Sequence, residues 1–104
     1  MSKFENVNIV KEANIYYDGK VTSRTVEFND GSVKSLGIML EGAYTFNTAD
    51  EELMEIYSGS FDLKIAGSEK FVAMNGPCSF GVKANSSFDI KVKSVTDYCC
   101  SYIK

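Results

Sequence analysis

Most of the chain alternates between apolar and polar residues with a period of two. The pattern is clearest over residues 61–65, 78–82 and 88–92, where every second residue is apolar. Because successive side chains of a strand point to opposite faces, this alternation predicts strands that bury one face. Residues 98–103 are apolar on both faces. This last strand is therefore expected between two sheets or in a subunit interface.

Short turns that contain glycine separate these runs. They lie at Asp18-Gly19, Asp30-Gly31, Glu41-Gly42, Ser58-Gly59, Ala66-Gly67 and Asn75-Gly76-Pro77. Such residues favour the backbone conformations that tight turns need. Short strands at regular spacing predict an all-β sandwich or barrel.

Residues 48–57 fit two structures. Thr48 to Glu51 has the spacing of a helix capping box, and apolar residues follow at helical intervals. A helix of this length is marginal on its own. A tight loop followed by a strand over residues 52–57 is equally compatible with the sequence.

The composition excludes several classes of protein. The 104 residues, 44% of them hydrophobic and 24% charged, predict a single domain, with residues 1–12 as an N-terminal extension. The chain has no histidine, which excludes histidine metal sites and nucleophiles that a histidine activates. A net charge of −3 argues against a nucleic-acid partner.

The location of the protein is inferred from its cysteines and its apolar runs. No run is long enough for a signal peptide or a membrane span, so neither export nor membrane insertion is expected. Cys78, Cys99 and Cys100 are an odd number of cysteines, which argues against a secreted disulfide framework. We therefore expect a cytoplasmic protein.

Four longer stretches carry a more specific signal: YYDGKVTSRTVEFNDGSVKSLGIMLEGAYTFNT, EELMEIYSGS, FGVKANSSFDIKV and YCCSYI. Together they resemble the pyrimidine/purine nucleoside phosphorylase family of small cupin proteins. The resemblance implies a single-domain, cupin-like double-stranded β-helix, that is, a jelly-roll barrel. It also implies that the protein cleaves purine and pyrimidine nucleosides to free base and pentose 1-phosphate, with inorganic phosphate as co-substrate and no cofactor.

The cupin pattern also implies a site without metal. A cupin motif ends with glutamate, six residues and glycine, and Glu52 to Gly59 has this spacing. The positions of the usual metal-binding histidines hold Phe46, Thr48 and Phe88. One remaining carboxylate does not form a transition-metal site. The resemblance implies a metal-free cavity lined by Tyr44, Phe46, Thr48, Glu52 and Phe88.

Phosphorolysis needs groups for the anion and for the sugar. Arg24, the single arginine, is the candidate for phosphate because its planar group binds anions through two bonds. Lys20, Lys34 and Lys83 are alternatives for this role, and an exposed arginine on a strand is the simpler interpretation. Glu52 is the catalytic candidate, which would bind ribose hydroxyls or stabilise positive charge on the sugar. Its alternative role is to cap a helix.

The base needs a stacking surface, and the sugar needs further polar partners. Tyr44, Phe46 and Phe88 are candidates for the stacking wall, although aromatic residues inside a small barrel are ordinarily core residues. Further ligand candidates are hydroxyl residues. They are Thr48, Ser86 in the loop at the barrel mouth, and Tyr98, for which an interface role is an alternative.

Two other functions fit the same residues. The cavity could bind a small sugar or nucleoside without catalysis, or the barrel could serve only for association. The apolar C-terminal strand favours association in every case, and a twofold homodimer is the default form.

Overall fold

The computed structural model describes residues 2–104, which form eleven strands and one short 3₁₀ turn, Tyr17–Gly19. The strands are β1 (Asn8–Ile9), β2 (Asn14–Tyr16), β3 (Val21–Glu27), β4 (Val33–Met39), β5 (Gly42–Asn47), β6 (Glu51–Ser58), β7 (Ser60–Ile65), β8 (Val72–Asn75), β9 (Cys78–Val82), β10 (Ser87–Val92) and β11 (Thr96–Ile103). The prediction of an all-β fold is confirmed.

The strands form two antiparallel sheets. The larger sheet has the order β1-β3-β4-β11-β6-β9, with β2 also paired to β3, and the smaller has the order β5-β10-β7-β8. Consecutive strands of the chain pass repeatedly from one sheet to the other, as in a jelly roll. Strand β1 lies within the N-terminal extension and pairs with β3.

The core lies between the inner faces of the two sheets. Alternate residues of β7 and β10 point inward, and Phe61, Leu63, Phe88 and Ile90 are all buried. Aromatic contacts join the sheets, since the rings of Phe80 and Phe88 lie 5.6 Å apart between centroids. The period-two pattern thus separates the two faces of each sheet, as the sequence predicted.

The ambiguous segment is a strand and not a helix. Residues Glu51–Ser58 form β6, which pairs with β11 on one side and with β9 on the other. Pairing on both edges provides hydrogen bonds that a short isolated helix cannot match. Glu52 therefore does not cap a helix. Among residues 2–104, no helix is long and apolar enough to cross a membrane.

Candidate functional site

One end of the space between the sheets is hollow. This cavity has a volume of about 360 Å³, and its wall is formed by β3, β4, β6 and β11 of the larger sheet and by β5 and β10 of the smaller. Tyr16, Asn47 and Ala49 line the cavity and are exposed, so they mark its opening. The volume lies in the range of small-molecule sites.

The smaller sheet contributes an aromatic wall. Phe46 of β5 and Phe88 of β10 are paired across the two strands, and their ring centroids are 5.6 Å apart. Phe88 is buried, whereas Phe46 is partly accessible from the cavity. The ring of Tyr16 packs edge-on against Phe46 at 5.9 Å. This wall offers a flat apolar surface to a ligand.

The larger sheet contributes a hydroxyl face opposite this wall. We use this name for Ser23 of β3, Ser35 of β4, and Tyr98 and Tyr102 of β11, which all line the cavity. The oxygens of Ser35 and Tyr102 are 3.1 Å apart, and the Asn14 amide donates to Ser23 Oγ at 3.2 Å. Burial raises the pKa of both tyrosines, so they stay protonated and can donate.

A glycine makes room for one of these tyrosines. Gly37 of β4 lies between Ser23 and Tyr98 in the register of the sheet. A Cβ atom on Gly37 would lie 2.7 Å from the ring and hydroxyl atoms of Tyr98 and would also clash with the backbone oxygen of Thr22. The missing side chain lets the Tyr98 ring cross β4, where its hydroxyl lies 3.4 Å from that backbone oxygen.

Glu52 lies at the edge of the cavity between these two surfaces. It faces inward on β6, where its register partners are Tyr102 of β11 and Val82 of β9. Partial burial raises the pKa of the Glu52 carboxyl, and the negative charge of Asp50 raises it further, whereas a hydrogen bond with Cys100 lowers it. Glu52 is a carboxylate held in a partly dry environment next to an aromatic wall.

Four of the eight residues predicted for the site line this cavity: Glu52, Phe46, Phe88 and Tyr98. They come from four different strands, two in each sheet. The cavity positions that the cupin pattern assigns to Phe46, Glu52 and Phe88 are therefore the observed ones. Their roles in catalysis or binding stay predictions.

Tyr44 and Thr48 lie outside the cavity wall, which corrects the expected lining. The Tyr44 hydroxyl donates to the backbone oxygen of Leu40 at 2.7 Å. The Thr48 hydroxyl donates to the backbone oxygen of Lys83 at 2.6 Å and accepts from the Ser86 amide at 2.9 Å. Both hydroxyls are thus engaged by backbone groups, that of Tyr44 within its own turn and that of Thr48 across to the segment before β10.

Ser86 and Arg24 are also apart from the cavity. At the end of the β5–β10 ladder, the Ser86 carbonyl accepts from the Thr48 amide, and the Ser86 amide donates to the Thr48 hydroxyl. Arg24 lies on the outer face of β3, beside Leu36, and donates to the backbone oxygen of Lys11. Its place follows from strand parity, because the neighbouring residue Ser23 points inward.

Three further lining residues were not predicted from the sequence: Ser23, Ser35 and Tyr102. Tyr102 could have been found from its parity, since it faces the same side of β11 as Tyr98. The two serines gave no such signal, because short polar residues in a strand are usually exposed. Their burial depends on the packing of the smaller sheet. Glu55, of opposite parity to Glu52, lies on the outer face.

The cavity has acidic groups and no basic side chain. Asp50 and Glu52 line it, and no lysine or arginine of residues 2–104 does. In the same part of the chain, no group of three or more histidine, cysteine, aspartate or glutamate side chains is placed to hold a metal ion.

The comparisons with known proteins give one family. The model of the family described as pyrimidine/purine nucleoside phosphorylase matches residues 11–102. A protein from Sulfurimonas denitrificans with that name is 62% identical over 104 residues, which cover 100% of both chains. A second, from Sulfurovum sp., is 58% identical over 99% of this chain and 100% of its own.

Solved structures show the same fold. A protein of unknown function from Acinetobacter sp. ADP1 superposes with a TM-score of 0.93 at 39% identity, over 97% of this chain and 98% of that one. An RmlC-like cupin from Shewanella frigidimarina, at 14% identity, has a TM-score of 0.69 over 97% of this chain and 86% of its own. The cupin fold expected from the sequence is confirmed, and the chain belongs to the pyrimidine/purine nucleoside phosphorylase family.

Proposed function

We propose that this protein cleaves purine and pyrimidine nucleosides with inorganic phosphate, which releases the free base and pentose 1-phosphate. The observation that carries the proposal is the placement of Glu52 beside the Phe46–Phe88 wall in one cavity. Family membership supports the reaction type, since the relatives bear the name of this activity. The cavity supports it by offering each part of a nucleoside a different surface.

In the proposed reaction, the base stacks on the aromatic wall and the ribose lies near Glu52. A phosphate oxygen forms a bond to the anomeric carbon while the bond from that carbon to the base nitrogen breaks. The electron pair of the broken bond leaves with the base, and the base takes up a proton that the attacking phosphate gives up. The sugar carries positive charge in the transition state, and the Glu52 carboxylate stabilises that charge. A flat apolar wall makes no hydrogen bonds to the base, so purines and pyrimidines are both accepted.

The proposal includes phosphate as the co-substrate, no cofactor and a cytoplasmic location. Cys78, Cys99 and Cys100 are all free thiols. Free thiols fit a reducing compartment, where disulfides rarely persist. The role of Arg24 in phosphate binding stays a prediction. It would require an arrangement that brings the outer face of β3 to the substrate.

We further propose that the protein is a homodimer formed through an outer apolar patch. This patch consists of exposed residues on the outer face of the larger sheet: Leu36, Ile38, Leu53, Tyr57 and Ile103. Exposed apolar residues grouped on one face of a sheet are typical of an interaction surface, and a second copy in twofold symmetry is the default occupant.

Light scattering after size-exclusion chromatography tests the dimer. Leu36→Glu places a charge in the patch and is expected to give a monomer. Val72→Glu changes an exposed apolar residue in the smaller sheet and serves as control, with the dimer retained. A wild-type protein that elutes as a monomer, or a Leu36→Glu variant that stays dimeric, would contradict this interface.

A second candidate function is a cupin that binds a small sugar or nucleoside without catalysis. The absence of a basic side chain from the cavity favours this alternative, because enzymes that use phosphate commonly bind it with arginine or lysine. The two candidates differ in whether phosphate changes the fate of the nucleoside.

The deciding experiment incubates the purified protein with uridine, cytidine, inosine, adenosine and guanosine, with and without inorganic phosphate. Free base is measured by chromatography. Release that depends on phosphate is the expected result and ranks the substrates. Release without phosphate would indicate hydrolysis. Binding of a nucleoside with no release under either condition would favour the non-catalytic cupin.

A further inference from the structure

The hydroxyl face is a polar surface of the cavity. Neither the stacking of the base nor the role of Glu52 uses it. Ser23, Ser35 and Tyr98 line the cavity and are each more than nine-tenths buried. Buried hydroxyls are costly unless they have partners. These oxygens already have partners within the protein, so the face offers a ligand the hydrogens and lone pairs that those contacts leave unused.

The chemistry of these groups points to an anion. In the Ser35–Tyr102 pair, only one proton lies between the two oxygens, so the second O–H remains available to an acceptor in the cavity. The Asn14 amide donates to Ser23 Oγ, and the Ser23 hydroxyl is itself hydrogen-bonded to Tyr98. The Ser35–Tyr102 pair is therefore the donor that remains available, whereas the carboxylate acceptors of the cavity are Asp50 and Glu52.

The nucleoside and the phosphate need different kinds of group from the cavity. Ribose hydroxyls need an acceptor, which the Glu52 carboxylate supplies. Phosphate oxygens need donors, and no lysine or arginine of residues 2–104 reaches the cavity. Away from bulk water, the lower local dielectric strengthens each hydrogen bond from a neutral donor to an anion, and it also strengthens the repulsion from the Asp50 and Glu52 carboxylates.

We propose that inorganic phosphate binds to the hydroxyl face, with Ser35 and Tyr102 as its principal donors, opposite the aromatic wall. This inference rests on the proposed function and adds the position and the chemistry of the phosphate subsite. It places phosphate on β4 and β11, and the base on β5 and β10, with the sugar between them beside Glu52. The donors of this subsite are neutral hydroxyls, and Arg24 is not among them.

Two variants that remove single hydroxyls test this subsite: Ser35→Ala and Tyr102→Phe. Ser79→Ala is the matched control, because Ser79 is exposed on the outer face of β9. Phosphate affinity is measured by titration calorimetry, and KM is measured separately for phosphate and for the nucleoside. We expect each test variant to weaken phosphate binding by about tenfold or more, with the nucleoside KM nearly unchanged, and Ser79→Ala to match the wild type.

Several outcomes would overturn the subsite. Phosphate affinity that is unchanged in both variants would do so, as would an effect confined to the nucleoside KM, which would assign the hydroxyl face to the sugar. A thermal melt of each variant establishes that it is folded, and Ser35→Ala alone decides if Tyr102→Phe does not fold. If the wild type releases no base from any nucleoside, the proposed function fails. Calorimetry with phosphate alone still decides whether the subsite exists.

Discussion

The two ends of the space between the sheets differ sharply, although the same strands form both. At the closed end, Phe61, Val92 and Thr96 are almost fully buried. At the open end, the same inner faces present Glu52 and Tyr102 to a cavity of about 360 Å³. The closed end is buried like an ordinary protein core, whereas the open end leaves a cavity that is lined partly by polar side chains.

The change from buried core to cavity lining takes place in steps of two residues along individual strands. On β6, the inward residues are Ile56, Met54 and then Glu52, which pass from fully buried and apolar to partly exposed and charged. On β11, the inward series runs from Thr96 at the closed end to Tyr102 at the open end. A single strand thus provides both the core that fixes its position and the side chains of the site.

Truncating an aromatic ring at each end gives the largest expected contrast. Phe61→Ala, at the closed end, is expected to lower the free energy of unfolding by about 3–5 kcal/mol, because the cavity it leaves is dry and cannot collapse. Phe46→Ala, at the open end, is expected to cost clearly less, since its ring is already partly exposed to an open cavity. Urea denaturation followed by fluorescence or circular dichroism measures both. Equal losses would contradict the distinction between the two ends.

Filling the space at Gly37 tests how the open end is built. Gly37→Ala brings a methyl group against Tyr98 and is expected to lower stability by about 1–3 kcal/mol and to reduce activity. Gly81→Ala is the matched control in the same sheet, because the nearest atom to its Cβ would lie 3.9 Å away. The free energies of unfolding of the two variants give the comparison. If both variants are equally stable, Gly37 does not make room for Tyr98.

The smallest expected effect is the destabilisation of the fold by the partly buried, charged carboxylate of Glu52. Burial raises the folded-state pKa of this carboxyl above its unfolded value of about 4.3. Between these two pKa values the folded state binds more protons than the unfolded state, so this group's contribution to stability falls as pH rises. Glu52→Gln removes that cost, and its Tm is expected to exceed that of the wild type by a few degrees at most near neutral pH.

A pH series of thermal melts measures this difference. The excess Tm of Glu52→Gln should shrink as pH falls and vanish below the unfolded pKa, where the glutamate is protonated in both states. Glu55→Gln, on the outer face of the same strand, controls for the loss of one negative charge. A Glu52→Gln variant that is less stable than the wild type at neutral pH would show that Glu52 serves the fold.

Much of the fold follows from the sequence because half-buried strands impose a period of two. The alternation over residues 61–65 and 88–92 matches β7 and β10 closely. The pattern could not assign β6, because the spacing after Thr48 also fits a helix start. The strand is determined by its pairing with β9 and β11, which are distant in the sequence.

The site could be predicted only in part, for a related reason. The cupin spacing places Phe46, Glu52 and Phe88, and these residues line the cavity. It also places Thr48 there, but hydrogen bonds with the backbone of Lys83 and Ser86, which are distant in the sequence, hold this hydroxyl outside. The inward position of Ser35 depends on its pairing with β11, which one sequence does not reveal.

The most direct test of the account compares base release by Glu52→Gln with release by Glu55→Gln, at saturating nucleoside and phosphate. The two glutamates lie three residues apart on β6 and face opposite sides of the sheet. We expect Glu52→Gln to lose more than about tenfold in turnover while its fold is retained, because a charge contact made in the transition state is worth about 2–4 kcal/mol. Glu55→Gln should match the wild type. Unchanged turnover in Glu52→Gln would contradict the assignment of this cavity carboxylate as the catalytic group.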